Sequence, residues 1–186
     1  MEFKYYKMYI DGKMVDAENQ ERKDVICPAT GEAIGQVAKA GIADTNKALE
    51  AAQKGFKYWS NLSLTERTKW MLKLREEVLK KEDLLRKAMM YEMGKTYTSG
   101  EEDIEAIVNS LEWYPAAMKN YHGEQLPDYE NTHRHNLIYQ PAGVAVAYLA
   151  WNFPLLNFAF KIGPALAAGC SIIIKPSFLS PISAYI

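Results

Sequence analysis

Two apolar runs near the carboxyl end constrain the fold most. Residues 144–150 (VAVAYLA) and 171–174 (SIII) are each of strand length, and residues 155–168 between them are largely apolar, with Pro164 inside. A continuous apolar strand suits a position buried on both faces of a parallel sheet. A helical connection of this length returns the chain to a parallel neighbour by a right-handed crossover. The segment is therefore read as a βαβ unit, and the chain as α/β. Two parallel strands do not complete an open sheet, so the sequence is expected to stop inside its fold. Ser180-Pro181, six residues from the last position, reads as N-cap and N1 of a further helix.

The preceding residues read as hairpins followed by helices. Residues 6–17 alternate around Asp11-Gly12, a dipeptide suited to a turn in which both central residues have φ > 0. Residues 24–39 form a second extended pair turning at Thr30-Gly31. A first helix is expected with Asp44 as cap and Leu49, Ala52, Phe56 and Trp59 at helical spacing. Ser63 and Glu66 form a capping box, followed by an apolar face of Trp70, Leu74 and Val78. Residues 81–93 continue helical and stop at Gly94. Ser99 and Glu102 offer another capping box, ahead of Ile104, Ile107, Val108 and Leu111, and Pro115 should kink or interrupt that helix. Residues 121–141, with Gly123, two prolines and three histidines, read as a loop and β arm with an extended piece at 136–139.

Composition excludes several classes. With 22 Lys+Arg against 23 Asp+Glu, the net charge is −1, which gives no electrostatic case for a nucleic-acid partner. No run approaches the roughly 18 apolar residues of a membrane span, so no membrane partner is expected. The first residues lack the apolar core and cleavage site of a secretory signal. With only two cysteines as well, the expected location is cytoplasmic with reduced thiols. His133-x-His135 falls short of the three or four ligands of a zinc site, so no metal is expected. Cys27 and Cys170 have no neighbouring His or helix N-terminus to lower their pKa, and read as buried packing.

Two places carry chemistry. Ala150-Trp151-Asn152-Phe153-Pro154 follows the first buried strand, at the edge where open α/β sheets bind ligands. The Asn152 carboxamide is either an oxyanion donor or a cap for the helix starting at Pro154. Lys175-Pro176-Ser177 follows the second strand at the same rim. Lys175 either meets a phosphate or ribose hydroxyl or simply terminates the strand.

Taken together, these segments resemble one family. Gln140-Pro141-Ala142-Gly143-Val144, Trp151-Asn152-Phe153-Pro154-Leu155, Lys161, Gly163-Pro164-Ala165-Leu166-Ala167, Gly169 and Lys175-Pro176-Ser177 resemble the aldehyde dehydrogenase superfamily in order and spacing. So do Tyr9-Ile10-Asp11-Gly12, Pro28-Ala29-Thr30-Gly31-Glu32, Glu92-Met93-Gly94-Lys95 and Gly123-Glu124. The resemblance covers essentially the whole chain and only the first part of the family's length.

The resemblance implies the amino-terminal part of the aldehyde dehydrogenase fold: helices and hairpins with an incomplete parallel Rossmann-like sheet. Residues 1–120 would be the first part of a cofactor-binding domain, 121–141 an oligomerisation arm, and 142–186 a first βαβ of the sheet, with the catalytic domain outside the chain. It implies oxidation of an aldehyde to an acid through a thioester, with NAD or NADP as cofactor and a leaning towards the semialdehyde and hydroxyaldehyde branches. Asn152 matches the oxyanion side chain and Lys161 a supporting lysine near the active centre. Ala150, Trp151 and Asn152 match the stretch along the nicotinamide. Lys175 matches the lysine on the adenosine ribose, with Pro176, Ser177 and Phe178 continuing that stretch. The nucleophilic cysteine and general-base glutamate would lie downstream of residue 186, since Cys27 and Cys170 fall where the family has asparagine. Phe178 stands where the family commonly has a ribose-binding glutamate, which implies weaker NAD affinity or greater tolerance of NADP. The implied partners are a small-molecule aldehyde and either further copies of the chain or a second chain with the catalytic domain. The alternative is a non-catalytic module that keeps part of a nucleotide site and the arm.

Overall fold

The computed structural model describes residues 4–186. Strand β1 (Lys4–Tyr6) leads into a hairpin of β2 (Met8–Ile10) and β3 (Lys13–Val15). Asp11 and Gly12 have φ of 49° and 75°, the left-handed pair that a two-residue turn needs. Strands β4 (Arg22–Ile26) and β5 (Ala33–Ala38) form the second hairpin. β1 then adds to β5 in parallel, a long-range pairing that the local pattern did not announce.

Four helices follow. In α1 (Ile42–Trp59) the N-cap is Gly41, not Asp44. Asp44 sits one turn in, where its carboxylate accepts the Gly41 N–H at 2.9 Å and the Glu18 N–H at 3.1 Å. It ties the hairpin to the helix start, and is buried because it satisfies both donors. α2 (Leu64–Lys80) begins with the expected Ser63–Glu66 capping box. Its inward residue is Met71, at 1% exposure, while Trp70 is 52% exposed and lies beneath the Lys73 ammonium. α3 (Glu82–Met93) ends at Gly94, whose φ of 77° closes the helix.

α4 (Glu101–Ala117) starts from Gly100 without a side-chain cap, so Ser99 and Glu102 do not form the expected box. Ser99 instead gives its N–H to Thr96 Oγ1. Pro115 does not interrupt α4. It lies in the last turn, where it has no N–H to give the Leu111 carbonyl but only a few residues of helix follow, and the chain then tightens into a 3-10 turn at Met118–Asn120. The arm at 121–141 is a two-stranded hairpin, β6 (Glu124–Leu126) with β7 (His135–Leu137), exposed along both strands.

The carboxyl third is the βαβ unit. β8 (Val144–Tyr148) and β9 (Ser171–Lys175) pair in parallel, and α5 (Pro154–Ala167) crosses between them. β8 is not buried on both faces among the described residues. Ala147 and Leu149 are covered, but Val146 is 50% and Tyr148 76% exposed, because nothing described packs on that side. Residues 182–185 form a 3-10 turn rather than an α-helix, and Ser180 does not cap it. The main core gathers Met71, Leu85, Met89, Ile104, Ile107, Leu111, Leu155 and Ala159 between α2, α3, α4 and α5. A smaller core joins Val25, Val37, Ala88 and Ile182, with Tyr6, Phe178 and Tyr185 against it.

Candidate functional site

The carboxyl ends of β8 and β9 form one rim. The ladder extends past β8 through Leu149 N–H to Lys175 O at 3.0 Å, so the two following turns leave side by side. On the first turn Trp151 is 58% exposed and Asn152 is also exposed. Asn152 is not the helix cap: Phe153 occupies the N-cap without a side-chain hydrogen bond, and Pro154 is N1. The capping alternative for Asn152 thus drops out, and its carboxamide stands at the rim. On the second turn the Lys175 ammonium lies 4.4 Å from the Phe178 ring centroid and 3.3 Å from Pro176 O. A cation–π contact at an exposed site contributes about 0.5–1 kcal/mol, enough to bias where the ammonium rests. Ser177 Oγ accepts the Leu179 N–H at 3.2 Å and shapes this turn. The turns are bridged directly: Ser180 Oγ donates to Trp151 O at 2.8 Å.

Beneath the rim lie three buried charges. Lys95 and Asp103, at 9% and 0% exposure, form an ion pair. The other Asp103 oxygen accepts the Leu156 N–H at 3.0 Å. That N–H belongs to the first turn of α5, where it has no partner within its own helix and where negative charge is favoured. The Lys95 ammonium also lies 4.5 Å from the Phe153 ring centroid. Glu92, at 2% exposure, accepts the N–H groups of Ile182 and of Ser183, the latter at 3.2 Å. It does for the 3-10 turn the capping that Ser180 was expected to do.

Burial pushes the Glu92 carboxyl up to about 7, against the N–H donors that favour its charged form. Between pH 4.5 and about 7 the folded chain keeps a proton that the unfolded chain releases. Stability therefore falls as pH rises through that window, by up to about 1.4 kcal/mol per unit, and is level above it. Urea midpoints at pH 5 and 7.5 for the chain and for Glu92→Gln should show this. The wild-type advantage shrinks at the higher pH; parallel pH curves would exclude it.

Lys161 is exposed on α5, about 10 Å along the helix from Pro154 at 1.5 Å per residue. The structure thus joins residues 150–152 and 175–178 at one edge and leaves Lys161 further along the helix. The His133 and His135 rings are 6.2 Å apart on the arm, and no group of three metal-ligating side chains occurs among the described residues. Cys27 and Cys170 are buried and free. Cys27 departs from expectation: hydrogen bonds from the Ala29 and Thr30 backbone hold its thiol below the ordinary value. No helix among the described residues is long and apolar enough to cross a membrane.

Comparison with known proteins decides the family. Residues 14–186 match the model of the aldehyde dehydrogenase family. The chain belongs to that family. It is 38% identical over 176 residues to a glutarate-semialdehyde dehydrogenase of Pseudomonas aeruginosa, covering 95% of the chain and 36% of that enzyme. It is 34% identical to an NADP+ succinate-semialdehyde dehydrogenase of Escherichia coli, covering 94% and 36%. The chain thus spans little more than a third of these relatives. The fold superposes on a crystal structure of an E. coli NADP-dependent enzyme with a TM-score of 0.93 at 33% identity, covering 97% of this chain and 38% of that one. It also superposes on betaine aldehyde dehydrogenase of Staphylococcus aureus in complex with NAD+, with a TM-score of 0.91 at 28% identity, covering 97% and 36%. The α/β architecture expected from the sequence is that of the amino-terminal part of these aldehyde dehydrogenases.

Within this family member, Asp103, Lys95, Glu92 and Ser180 organise the rim; sequence reasoning assigned the first three no role and made Ser180 only a helix cap. A signal existed for Asp103. It stands four residues before Ile107 on the inward stripe of α4, a place where an unpaired carboxylate would be costly.

Proposed function

We propose that the chain supplies the nucleotide-binding rim of an NAD(P)-dependent aldehyde dehydrogenase acting on a small semialdehyde. The observation that supports this is the convergence of Asn152 and Lys175 on one sheet edge, with Ser180 bridging the two turns. The residues suit a dinucleotide. An exposed ammonium stands beside one turn, and an uncapped carboxamide and an exposed indole stand on the other. A bound nicotinamide would supply hydride acceptance. Lys175 and residues 176–178 hold the adenosine ribose, and residues 150–152 lie along the nicotinamide side. Asn152 donates its carboxamide N–H to the oxygen on which negative charge develops, a role worth about 2.7–4 kcal/mol where such donors have been removed. Lys161 supports the active centre. The nucleophile and the general base come from outside residues 1–186, and the chain alone does not turn over. Residues 1–120 and 142–186 belong to the cofactor-binding domain. The exposed arm at 121–141 offers its strand edges to another copy.

Phe178 makes the cofactor preference testable. It cannot accept hydrogen bonds from the ribose, and it carries no carboxylate to repel a 2′-phosphate. Calorimetry of the chain with NAD+ and NADP+ should show NADP+ bound at least as tightly as NAD+, with no aldehyde-dependent reduction of either. Phe178→Glu should shift the affinity ratio towards NAD+ by about tenfold, the worth of roughly one charged hydrogen bond. An unchanged ratio would remove the role of Phe178. Absence of binding to either nucleotide would overturn the rim assignment.

A further inference from the structure

The segment Glu92-Met93-Gly94-Lys95 holds two of the three buried charges, and they act in opposite directions. Gly94, at φ 77°, turns the chain sharply at the end of α3, with Pro28 Cγ 3.4 Å from where a Cβ would stand. Before the turn, the Glu92 carboxylate reaches the backbone of Ile182 and Ser183, beyond the Lys175–Phe178 turn. After it, the Lys95 ammonium reaches Asp103 and the Phe153 ring, at the Asn152 turn. Asp103 passes the constraint to Leu156 N–H. Both side chains are almost wholly buried, so neither bond competes with water. Four consecutive residues therefore anchor the chain just after both turns, at Ile182–Ser183 beyond the Lys175 turn and at Phe153–Leu156 beyond Asn152, while Ser180 ties the two together.

We infer that residues 92–95 are a positioning strap, which sets the Asn152 turn and the Lys175 turn in register with each other. The inference rests on the nucleotide-rim reading for its functional consequence, though not for its geometry. None of the strap residues touches substrate or cofactor; Glu92 and Lys95 act through Asn152 and Lys175. Misplacing a reacting group by about 1 Å can cost on the order of a hundredfold in rate, which is why a shared anchor for two turns matters. Because the strap is continuous, a change at Glu92 must be felt at Leu156, which Glu92 does not contact.

The test uses the 186-residue chain and reads amide hydrogen exchange at Leu156, Ile182 and Ser183, together with NAD+ and NADP+ affinity. Three variants serve: Glu92→Leu, Glu92→Gln and Met71→Ala. Met71→Ala is the control, a truncation in α2 of the main core that removes no hydrogen bond or ion pair. In Glu92→Leu, protection at Ile182 and Ser183 should fall at least tenfold, and protection at Leu156 at least threefold. Glu92→Gln keeps a carbonyl acceptor and should restore most of both. Met71→Ala should lower all protected amides together, without singling out these three. If Glu92→Leu loosens Ile182 and Ser183 but leaves Leu156 unchanged, or if Met71→Ala reproduces the same local pattern, the strap is excluded. Should Glu92→Leu not fold, Glu92→Ala, which removes the acceptor without adding apolar bulk, is read by the same criteria: a fall at Leu156 accompanying the fall at Ile182 and Ser183 supports coupling, and an unchanged Leu156 excludes it. The affinity arm separates the two proposals. If the unmodified chain binds neither nucleotide, the rim reading fails and the exchange result alone judges the strap. If it binds and Glu92→Leu, once folded, binds equally tightly, the strap has no positioning role. A loss of affinity of about tenfold in Glu92→Leu, largely recovered in Glu92→Gln, is the expected result.

Discussion

Replacing Asp103 with alanine should cost the fold about 3–5 kcal/mol, the usual penalty for leaving one member of a buried ion pair alone. The Lys95 ammonium would remain at 9% exposure with only the Phe153 ring beside it. The Leu156 N–H would lose its acceptor at the same time. A domain of this size has a total stability of about 5–15 kcal/mol, so the variant should lose a fifth of it or more. Asp103→Asn keeps an acceptor for Leu156 but removes the charge, and should fall between the two. The double variant Asp103→Leu with Lys95→Met removes both charges and should recover much of the loss, since well-packed apolar pairs often replace buried ion pairs at little cost. Urea denaturation of the four proteins measures this. A loss below 1 kcal/mol for Asp103→Ala would mean that water already reaches the pair.

Gly163→Ala should destabilise the chain by about 3 kcal/mol, at the upper end of overpacking penalties. α4 and α5 make the most extensive helix contact in the fold, and Gly163 lies in it. A Cβ there would overlap Ser110 Oγ, and would stand 2.8 Å from Tyr114 Cδ2 and 3.1 Å from Ser110 O. Rotating the Ser110 hydroxyl away would sacrifice its 2.7 Å bond to Ala159 O and leave that buried hydroxyl without a partner. The backbone oxygen cannot yield without moving α4 itself. Ser110→Ala in the same background should relieve only part of the clash, because Tyr114 and the Ser110 carbonyl remain. Thermal unfolding of the single and double variants would show this; a wild-type melting temperature for Gly163→Ala would mean that the helices can separate freely.

The parts of the fold legible in the sequence were those set by local chemistry. Asp11-Gly12 at its turn, Ser63 with Glu66 at the start of α2, and Gly94 at the end of α3 each act within four residues. Where two candidates fitted equally, tertiary packing chose. Trp70 and Met71 both stand at helical spacing from Leu74 and Val78, and the larger aromatic is the exposed one. Ser99 lost its capping role because the helix begins at Glu101, out of register for the box. The candidate rim was legible as two turns at strand ends, because a polar residue after an apolar strand stands out. Its support was not legible. The bonds from Glu92 to Ile182 and from Asp103 to Leu156 each join residues more than fifty positions apart, and neither end announces its partner. The parallel pairing of β1 with β5 was hidden for the same reason.

The smaller core also sets an order of events during folding. Tyr6, at one end of the described chain, packs against Tyr185, near the other, with ring centroids 6.1 Å apart, and Ile182 and Phe178 join the same cluster. That cluster closes a loop of nearly the whole chain, and such non-local contacts are slow to form. The hairpins, the helices and the β1–β5 ladder can assemble while synthesis proceeds, but the Tyr6 ring has no Tyr185 or Ile182 to pack on until residues near 180 emerge from the ribosome. Phe178 lies in this late-closing cluster and also beneath the Lys175 ammonium. The candidate rim is therefore among the late regions of residues 4–186 to acquire its shape, since the Phe178 beside Lys175 packs only once Tyr6 has met residues 182–185.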